Sequence, residues 1–228
     1  RVDADRVAAA QRERCATIEH LWRCSGVSTG GLRSLARADA FRSMGLDRRE
    51  ASWQIRPLRD DPLPLFQQYS AIDEHDEAAL DALPRLALDQ HVNHDYESTS
   101  LSLKAHPISF LRSQLREEGV LPTEQLRNEA ACPQGQHVSV AGLVIARQRP
   151  STASGVVFLT LEDETGIANL ILWKDTFEQY RRIARLSHVM LASGNVERQG
   201  EVVHVHARRL VCMDDALPEL LARSRDFF

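Results

Sequence analysis

The hydrophobic pattern of the chain changes its period near residue 136. From there onward, apolar and polar positions alternate in five segments, at residues 138–145, 156–162, 168–173, 189–197 and 202–210. A period of two predicts β-strands, and helical spacing at residues 174–186 places one helix between the third and fourth strands. Five strands with a helix at that point are typical of the OB-fold. The sequence therefore predicts a five-stranded OB-fold β-barrel over residues 131–215.

Residues 1–56 show short helical patterns instead, separated by glycine-containing turns. Apolar residues recur at helical spacing around Leu21, around Leu35 and across residues 48–55, with turns at residues 25–31 and 45–47. The side chains predicted to cap these helices at their N-termini are Thr17, Thr29 and Asp47. Short helices joined by tight glycine turns predict a tandem helix-hairpin-helix domain.

The middle of the chain, residues 57–130, is predicted to be a Pro-rich linker followed by an acidic helical segment. Pro57, Pro62 and Pro64 oppose both helix and central strand. Helical patterns follow at residues 73–83 and 107–118, and a third starts at residue 123. Residues 216–228 are predicted as a C-terminal tail, either a docking segment or a frayed end. The fold class is thus α+β with several domains.

The charge of the 228-residue chain is distributed unevenly, although its net charge is only −4. Residues 1–56 carry 11 Arg against 7 acidic residues, whereas residues 57–130 carry 6 basic and 14 acidic residues. Residues 131–215 are balanced, with 9 of each sign. The basic segment, residues 1–56, would attract phosphates, whereas the acidic segment, residues 57–130, would repel them. The run Glu162-Asp163-Glu164 is expected to repel phosphate from one rim of the barrel.

Composition excludes several classes of protein. Apolar residues make up 43% and charged residues 26%, as in folded proteins, and no apolar run approaches the length of a membrane span. Arg1 stands where a Met would start a chain, so a piece of a longer polypeptide is expected. Four scattered cysteines and no leader predict a reduced, cytoplasmic chain without membrane contact, and no metal site is predicted. His91 and His94 are interpreted as part of a polar loop.

The outer face of the predicted barrel carries candidate contacts to single-stranded DNA. Alternation along the second and third strands turns Phe158 and Trp173 outward beside polar residues, and aromatic side chains stack on bases. Basic residues at the strand ends suit phosphates. The predicted set is Arg147, Arg149, Phe158, Thr160, Asn169, Trp173, Lys174 and Arg198. The alternative is that Phe158 and Trp173 cap the barrel or pack on the helical region.

The turn between the first two predicted helices is a candidate phosphate site. Glycines let a backbone approach a phosphate closely, and the N-terminus of the following helix favours an anion. The predicted contacts are Gly26, Ser28, Thr29, Gly30, Gly31, Arg33 and Arg37. In the alternative interpretation, the turn serves only to pack two helices together.

The chain resembles the C-family bacterial DNA polymerases along nearly its whole length. The resemblance is carried by residues 95–112 (DYESTSLSLKAHPISFLR), residues 140–150 (VAGLVIARQRP) and residues 158–166 (FLTLEDETG). Residues 35–51 (LARADAFRSMGLDRREA) are similar to that family's tandem helix-hairpin-helix domain. Ala38-Asp39-Ala40-Phe41, where the replicative form usually has Ala-Gly-Ala-Phe, favours the error-prone branch.

The resemblance implies a role in translesion synthesis and SOS mutagenesis. It implies the partners ImuB and ImuA, the sliding clamp, and single-stranded template and primed duplex DNA. It also implies a catalytic site whose carboxylates hold Mg²⁺ upstream of this segment. No catalytic residue is therefore predicted here, no cofactor is expected in this fragment, and the fragment should be inactive alone.

A peptide in the linker is similar to the clamp-binding motif of replicative relatives. Residues 62–66 (PLPLF) stand where the relatives carry Gln-Leu-Ser/Asp-Leu-Phe. The residues predicted to enter an apolar groove on the clamp are Leu63, Leu65 and Phe66. Pro62 replaces the Gln, so binding to the clamp is expected to be weak or indirect. The alternative is that this peptide packs on a neighbouring domain.

Two other functions remain open at this stage. The chain is alternatively a protein-docking module that binds ImuB or the clamp and has little DNA affinity. An anticodon-type barrel attached to a synthetase would share the Phe-x-x-Leu-x-Asp pattern, but helix-hairpin-helix units in front of the barrel favour DNA. A steep salt dependence distinguishes DNA binding from apolar docking.

Overall fold

The computed structural model describes residues 5–6, 15–60, 86–150, 155–200, 202–217 and 225–227. The chain divides into two compact units, Arg1–Ala87 and Leu88–Phe228. The predicted helix at residues 73–83 lies outside the described residues, and the predicted domain boundaries at residues 56, 130 and 215 stay predictions. Within the described ranges, no helix is long and apolar enough to cross a bilayer.

Residues 15–60 of the first unit form three short helices and one turn of 3-10 helix. Helix α1 is Ile18–Ser25, α2 is Thr29–Arg37 and α3 is Arg48–Ile55, with the 3-10 turn at Arg42–Met44. Both α1 and α2 contact α3. One apolar side of each helix packs into a shared core, which consists of Ile18, Leu21, Val27, Leu32, Ala36, Phe41, Ala51 and Ile55.

The residues that cap the N-termini of these helices are the predicted ones at two of three positions. Thr17 accepts a hydrogen bond from the amide of His20, and Asp47 forms a reciprocal capping box with Glu50. The prediction that Thr29 caps α2 is wrong, because the side chain of Ser28 accepts the bond from the amide of Gly31. The Thr29 hydroxyl instead donates to a carboxylate that lies 31 residues further along the chain.

The second unit begins with a helical segment that packs on a barrel. Helix α4 is Leu88–Thr99 and α5 is Arg112–Glu117, and 3-10 helices lie at Pro107–Leu111 and Thr123–Arg127. The loop predicted for His91 and His94 is therefore wrong, because both lie within α4. The apolar residues of this segment that meet the barrel are Ile108, Leu115 and Val120, packed with Ala141, Leu143 and Val189.

The predicted five-stranded barrel is confirmed. Its strands are β1 His137–Gln148, β2 Val157–Asp163, β3 Gly166–Leu172, β4 Val189–Gln199 and β5 Val202–Cys212. They pair in the order β1-β2-β3-β5-β4, and β4 pairs back to β1, which closes the sheet. The connection between β3 and β4 consists of two short helices, α6 Lys174–Gln179 and α7 Arg181–Leu186. A short strand, β6 Arg225–Phe227, adds in parallel to β1.

Strand β1 closes the barrel because it pairs with both β2 and β4. Its first half, from His137 to Leu143, pairs with β4, and its second half pairs with β2. Gly142 lies where the two halves meet, and a Cβ there would come within 2.6 Å of the carbonyl oxygen of Glu162. Only glycine allows the two backbones to approach so closely.

A buried carboxylate joins the helical segment to the turn between β2 and β3. Asp163 accepts hydrogen bonds from the amide and hydroxyl of Thr123, from those of Thr165, and from the amide of Gly166. The guanidinium of Arg112 contacts Asp163 at 2.9 Å and Glu164 at 2.5 Å. Two of the three carboxylates of this acidic turn are thus paired with Arg112, which reduces its negative charge, and the expected repulsion of phosphate stays a prediction.

The network determines the ionisation of Asp163. Burial by itself would raise the pKa of Asp163, but the hydrogen bonds from Thr165 and Thr123 outweigh it, so the pKa lies below its usual value. A carboxylate with a depressed pKa stabilises the fold above its unfolded-state pKa of about 3.9. That stabilisation is lost as the pH falls through the folded-state pKa.

Replacing Asp163 by Asn should destabilise the second unit. Asp163→Asn removes the charge that faces Arg112 and leaves a buried guanidinium with one partner fewer, at a cost of about 3–5 kcal/mol in the free energy of unfolding. Urea denaturation between pH 7 and pH 3 measures both effects. The variant should also lose less stability than the parent below about pH 4. Glu129→Gln, an exposed carboxylate, is the control, and equal stability of the two variants would contradict the assignment.

Candidate nucleic-acid interface

The outer face of β2, β3 and β5 forms a platform of aromatic, apolar and polar side chains. Phe158 pairs with Ile171, and Ile171 pairs with His206, so these three form one row across the strands. Thr160, Asn169 and His204 form the next row. We call these six residues, together with Trp173, the barrel face. The predicted outward orientation of Phe158, Thr160 and Asn169 agrees with their partial exposure, while their neighbours along the strands are buried.

Trp173 is held in place by a chain of polar contacts. It is 55% exposed, and its indole nitrogen donates to Nδ1 of His206 at 2.9 Å. His206 contacts Glu197 through Nε2, and the hydrogen bond to His206 is the main reason that the pKa of Glu197 is lowered. Because Nδ1 accepts, the ring proton of neutral His206 lies on Nε2, facing the carboxylate. The indole thus presents a surface whose orientation is fixed before any base stacks on it.

His206 and Glu197 were not selected from the sequence. Both lie on strands in which polar and apolar residues alternate, and this alternation is the feature of the sequence that indicates their outward orientation. What the sequence did not contain was the parallel pairing of β3 with β5, which brings His206 beside Trp173, 33 residues away.

Two of the predicted basic contacts are exposed beside this face. Arg149 and Lys174 are exposed, and the guanidinium of Arg149 lies 5.4 Å from the centre of the Phe177 ring. A cation held over an aromatic ring keeps outward hydrogen-bonding capacity for a phosphate. Their contact with DNA stays a prediction.

The structure contradicts the assignment of Arg147 to the DNA surface. Its side chain is 2% exposed and donates to the carbonyl oxygens of Ala184 and Ser187. Arg147 therefore fixes the end of α7 against β1. The mistake arose because a basic residue at the end of a strand was taken to be exposed.

The assignment of Arg198 to the DNA surface is also corrected, because its side chain holds parts of the second unit together. Its guanidinium donates to the carbonyl oxygens of Leu126 and Cys132, at 2.7 and 2.6 Å. These bonds hold the segment before β1 against the end of β4. The predicted contact with a phosphate would require Arg198 to break its hydrogen bonds to both carbonyl oxygens.

Two backbone amides in the hairpin turn of the first unit donate to side chains of the protein. The amide of Thr29 donates to Oδ1 of Asp60 at 2.8 Å, and the Thr29 hydroxyl donates to Oδ2 at 2.9 Å. The amide of Gly31 donates a hydrogen bond to the hydroxyl oxygen of Ser28. The hydrogen bond from the Thr29 amide is the main cause of the lowered pKa of Asp60. A carboxylate thus lies where the sequence predicted a phosphate, at the N-terminus of α2, and Gly26, Gly30 and Gly31 shape the turn around it.

Five arginines of the first unit meet in a cleft between α2 and α3. The cleft is lined by Arg33, Arg37, Arg48, Arg49, Ser52, Trp53 and Arg56. Arg48 is buried and donates to the carbonyl oxygen of Arg37, while the guanidinium of Arg56 lies 5.7 Å from the centre of the Trp53 ring. Arg33 and Arg37 are predicted from the sequence as phosphate contacts, whereas the cleft residues on α3 are not. The available signal was the spacing of Arg49, Trp53 and Arg56, which lie three or four residues apart on one helix face.

The clamp-like peptide, with Leu63, Leu65 and Phe66, lies outside the described residues. Its predicted contact with the clamp stays a prediction.

Comparisons with known proteins agree with this geometry. A family model described as an OB-fold nucleic acid binding domain matches residues 138–212, which span β1 to β5. Residues 138–212 form an OB-fold. The five strands and a helical connection between β3 and β4 are those expected from the sequence, although this connection consists of two short helices where one was predicted.

Curated relatives extend the similarity beyond the OB-fold. Error-prone DNA polymerase 1 of Rhizobium meliloti (strain 1021) is 42% identical over 99% of this chain, which covers 20% of that protein. The error-prone DNA polymerase of Caulobacter vibrioides is 44% identical over 86% of this chain and 18% of that protein. The chain thus spans about a fifth of the length of these relatives.

Similarity to solved structures is much weaker. Asparaginyl-tRNA synthetase from Pyrococcus horikoshii aligns with a TM-score of 0.35 and 22% identity, over 41% of this chain and 23% of that chain. This similarity is too low to indicate a function.

Removing the Asp60 carboxylate should increase affinity for DNA. Asp60→Ala frees the Thr29 amide and hydroxyl at the N-terminus of α2 and removes an anion near Arg33, so duplex DNA should bind about two- to fivefold more tightly. Fluorescence anisotropy at low salt measures this. Glu19→Gln removes one negative charge from the same unit, away from the hairpin, and should change affinity less. Equal effects of both variants would show that net charge alone is responsible.

Proposed function

We propose that this chain is the DNA-binding, non-catalytic C-terminal part of an error-prone DNA polymerase. The observation that carries the proposal is the 42% identity to such a polymerase over 99% of the chain. The nucleic-acid-binding family model at residues 138–212 supports it further. In this proposal the full-length protein acts in translesion synthesis and SOS mutagenesis in the cytoplasm. Its Mg²⁺-binding catalytic carboxylates lie outside this segment, so the fragment is inactive alone.

The OB-fold is proposed to bind the single-stranded template on the barrel face. Phe158 and Trp173 offer stacking surfaces, and base stacking on aromatic side chains tolerates any sequence. Thr160 and Asn169 supply hydrogen-bonding groups between them, while Arg149 and Lys174 lie where a phosphate backbone would pass. A surface with two aromatic rings and few charges favours unpaired bases over a stacked duplex.

The cleft of the first unit is proposed to bind the phosphates of primed duplex DNA. Five arginines line it, and guanidinium groups match phosphate oxygens in a bidentate geometry. Such contacts position DNA without reading its sequence. This role suits a polymerase that must act at any site.

A protein-docking function is the second candidate. Leu101 and Leu103 are 53% and 96% exposed, on a segment that follows α4. Two exposed leucines so close together favour contact with a partner protein over contact with DNA. ImuB, ImuA or the sliding clamp would be that partner. Binding of this kind should change little between low and high salt, whereas DNA binding should weaken steeply.

Trp173→Ala should weaken binding of single-stranded DNA. Loss of one stacked base is worth about 1–3 kcal/mol, so the dissociation constant of a labelled oligonucleotide should rise about 5- to 150-fold in anisotropy titrations. Leu186→Ala is the matched control, because Leu186 is 63% exposed but lies on α7, outside the barrel face. If both variants bind like the parent, the barrel face does not bind the strand.

Arg33→Gln and Arg56→Gln should each reduce the salt dependence of duplex binding. Every phosphate contact that is lost lowers the slope of log affinity against log salt by about one. Titrations of a primed duplex at two or more salt concentrations give this slope. Arg23→Gln, an exposed arginine on α1 outside the cleft, is the control. A slope that falls equally in all three variants would contradict a specific role for the cleft.

A further inference from the structure

Three side chains that can ligate a metal ion meet in the first unit. The sulfur atoms of Cys15 and Cys24 and a ring nitrogen of His20 all lie within 4.8 Å of one another. No fourth His, Cys, Asp or Glu among the described residues joins this cluster. Two thiols and an imidazole so close together are the donor set that Zn²⁺ prefers.

Helix α1 explains why these side chains converge. His20 and Cys24 are four residues apart, which places them one above the other on the same helix face. Ile18 and Leu21 lie on the buried face of α1, whereas His20 and Cys24 are exposed. Thr17 caps the helix, and Cys15 packs at the edge of the core just before the cap. The cap and the core together turn the chain so that Cys15 returns to the face that carries His20.

We propose that Cys15, His20 and Cys24 bind one Zn²⁺ ion. Two S–H bonds break and their protons pass to solvent, while two Zn–S bonds and one Zn–N bond form, and a water molecule completes the tetrahedron. With Zn–S near 2.3 Å and Zn–N near 2.0 Å, tetrahedral donors lie about 3.5–3.8 Å apart. The three donor atoms, all within 4.8 Å of one another, already lie close to this spacing. The donor set contains no oxygen ligand, so it disfavours Mg²⁺ and Ca²⁺.

The bound ion would join the chain before α1 to the last turn of that helix. The first unit has a small core of eight buried apolar side chains, and metal binding by a folded site adds directly to folding stability. The same ion would hold α1 next to the hairpin turn at Gly26, which C-caps that helix. The expected consequence of binding is a more stable first unit.

The pattern Cys-x4-His-x3-Cys was not recognised as a ligand set in the sequence. Zinc motifs are usually identified by a Cys-x-x-Cys pair, which this chain lacks. Cys15 joins the other two only because the helix cap reverses the chain before α1.

Cobalt substitution tests the site directly. The full chain is reduced, stripped of metal with a chelator and titrated with Co²⁺ under argon. The expected result is one Co²⁺ per chain, with a thiolate-to-metal charge-transfer band and the strong visible bands of a tetrahedral site, all abolished by one equivalent of Zn²⁺. Cys15→Ser and Cys24→Ser should each lose the charge-transfer band or most of its intensity. Cys212→Ser, at an exposed cysteine on β5, should leave it unchanged.

Thiol protection in the unmutated chain keeps the test independent of folding defects. Zn²⁺ should slow alkylation of Cys15 and Cys24, measured by peptide mass mapping, and should leave alkylation of Cys212 unaffected. The proposal is overturned if no thiolate band forms, or if Cys212→Ser removes the band. Equal protection of all cysteines would overturn it too, as would a Cys15–Cys24 disulfide that persists in reductant and prevents binding.

Discussion

The barrel depends on the buried carboxylate of Asp163 at the tip of the β2–β3 hairpin. This one side chain receives hydrogen bonds from Thr123 and Thr165 and an ion pair from Arg112. It therefore fixes the turn of the hairpin and, at the same time, the helical segment that covers the barrel. Because β2 and β3 carry Phe158 and Asn169, the register that the turn imposes also decides which side chains share the barrel face. A structural carboxylate at one end of the hairpin thus positions the binding side chains along its length.

Arginine has two separate functions in this molecule. Arg112, Arg147 and Arg198 use their several donors to hold together segments that are distant in sequence, mostly through carbonyl oxygens and buried carboxylates. Arg33, Arg56 and Arg149 are exposed and lie beside aromatic rings or in the basic cleft. Since a guanidinium stays charged in either setting, the difference lies in its neighbours. Counting basic residues in a segment therefore overestimates the charge that is available to DNA.

The sequence was sufficient to predict the barrel and the orientation of its strands, because alternation is a local property. Phe158 and Thr160 face outward as the pattern indicates, between buried Val157, Leu159 and Leu161. Contacts between distant residues were not accessible in this way. The hydrogen bond between Trp173 and His206 depends on the parallel pairing of β3 and β5. The hydrogen bond from Thr29 to Asp60 joins two residues that are 31 positions apart in the sequence. In both cases the partner is polar, and no local pattern indicates which distant polar residue will be chosen.

The two candidate surfaces differ in the physical term that would bind DNA. The cleft of the first unit is dominated by guanidinium groups, so its binding energy would come from released counterions and would fall steeply with salt. The barrel face has two aromatic rings with Arg149 and Lys174 beside it, so stacking would supply most of its energy and these two cations would make its salt dependence shallower than that of the cleft. Stacking needs unpaired bases, whereas phosphate contacts need only a backbone. If both surfaces bind as proposed, the chain would hold a duplex through its phosphates and single strands through their bases, which are the two forms of DNA that meet at a primer terminus.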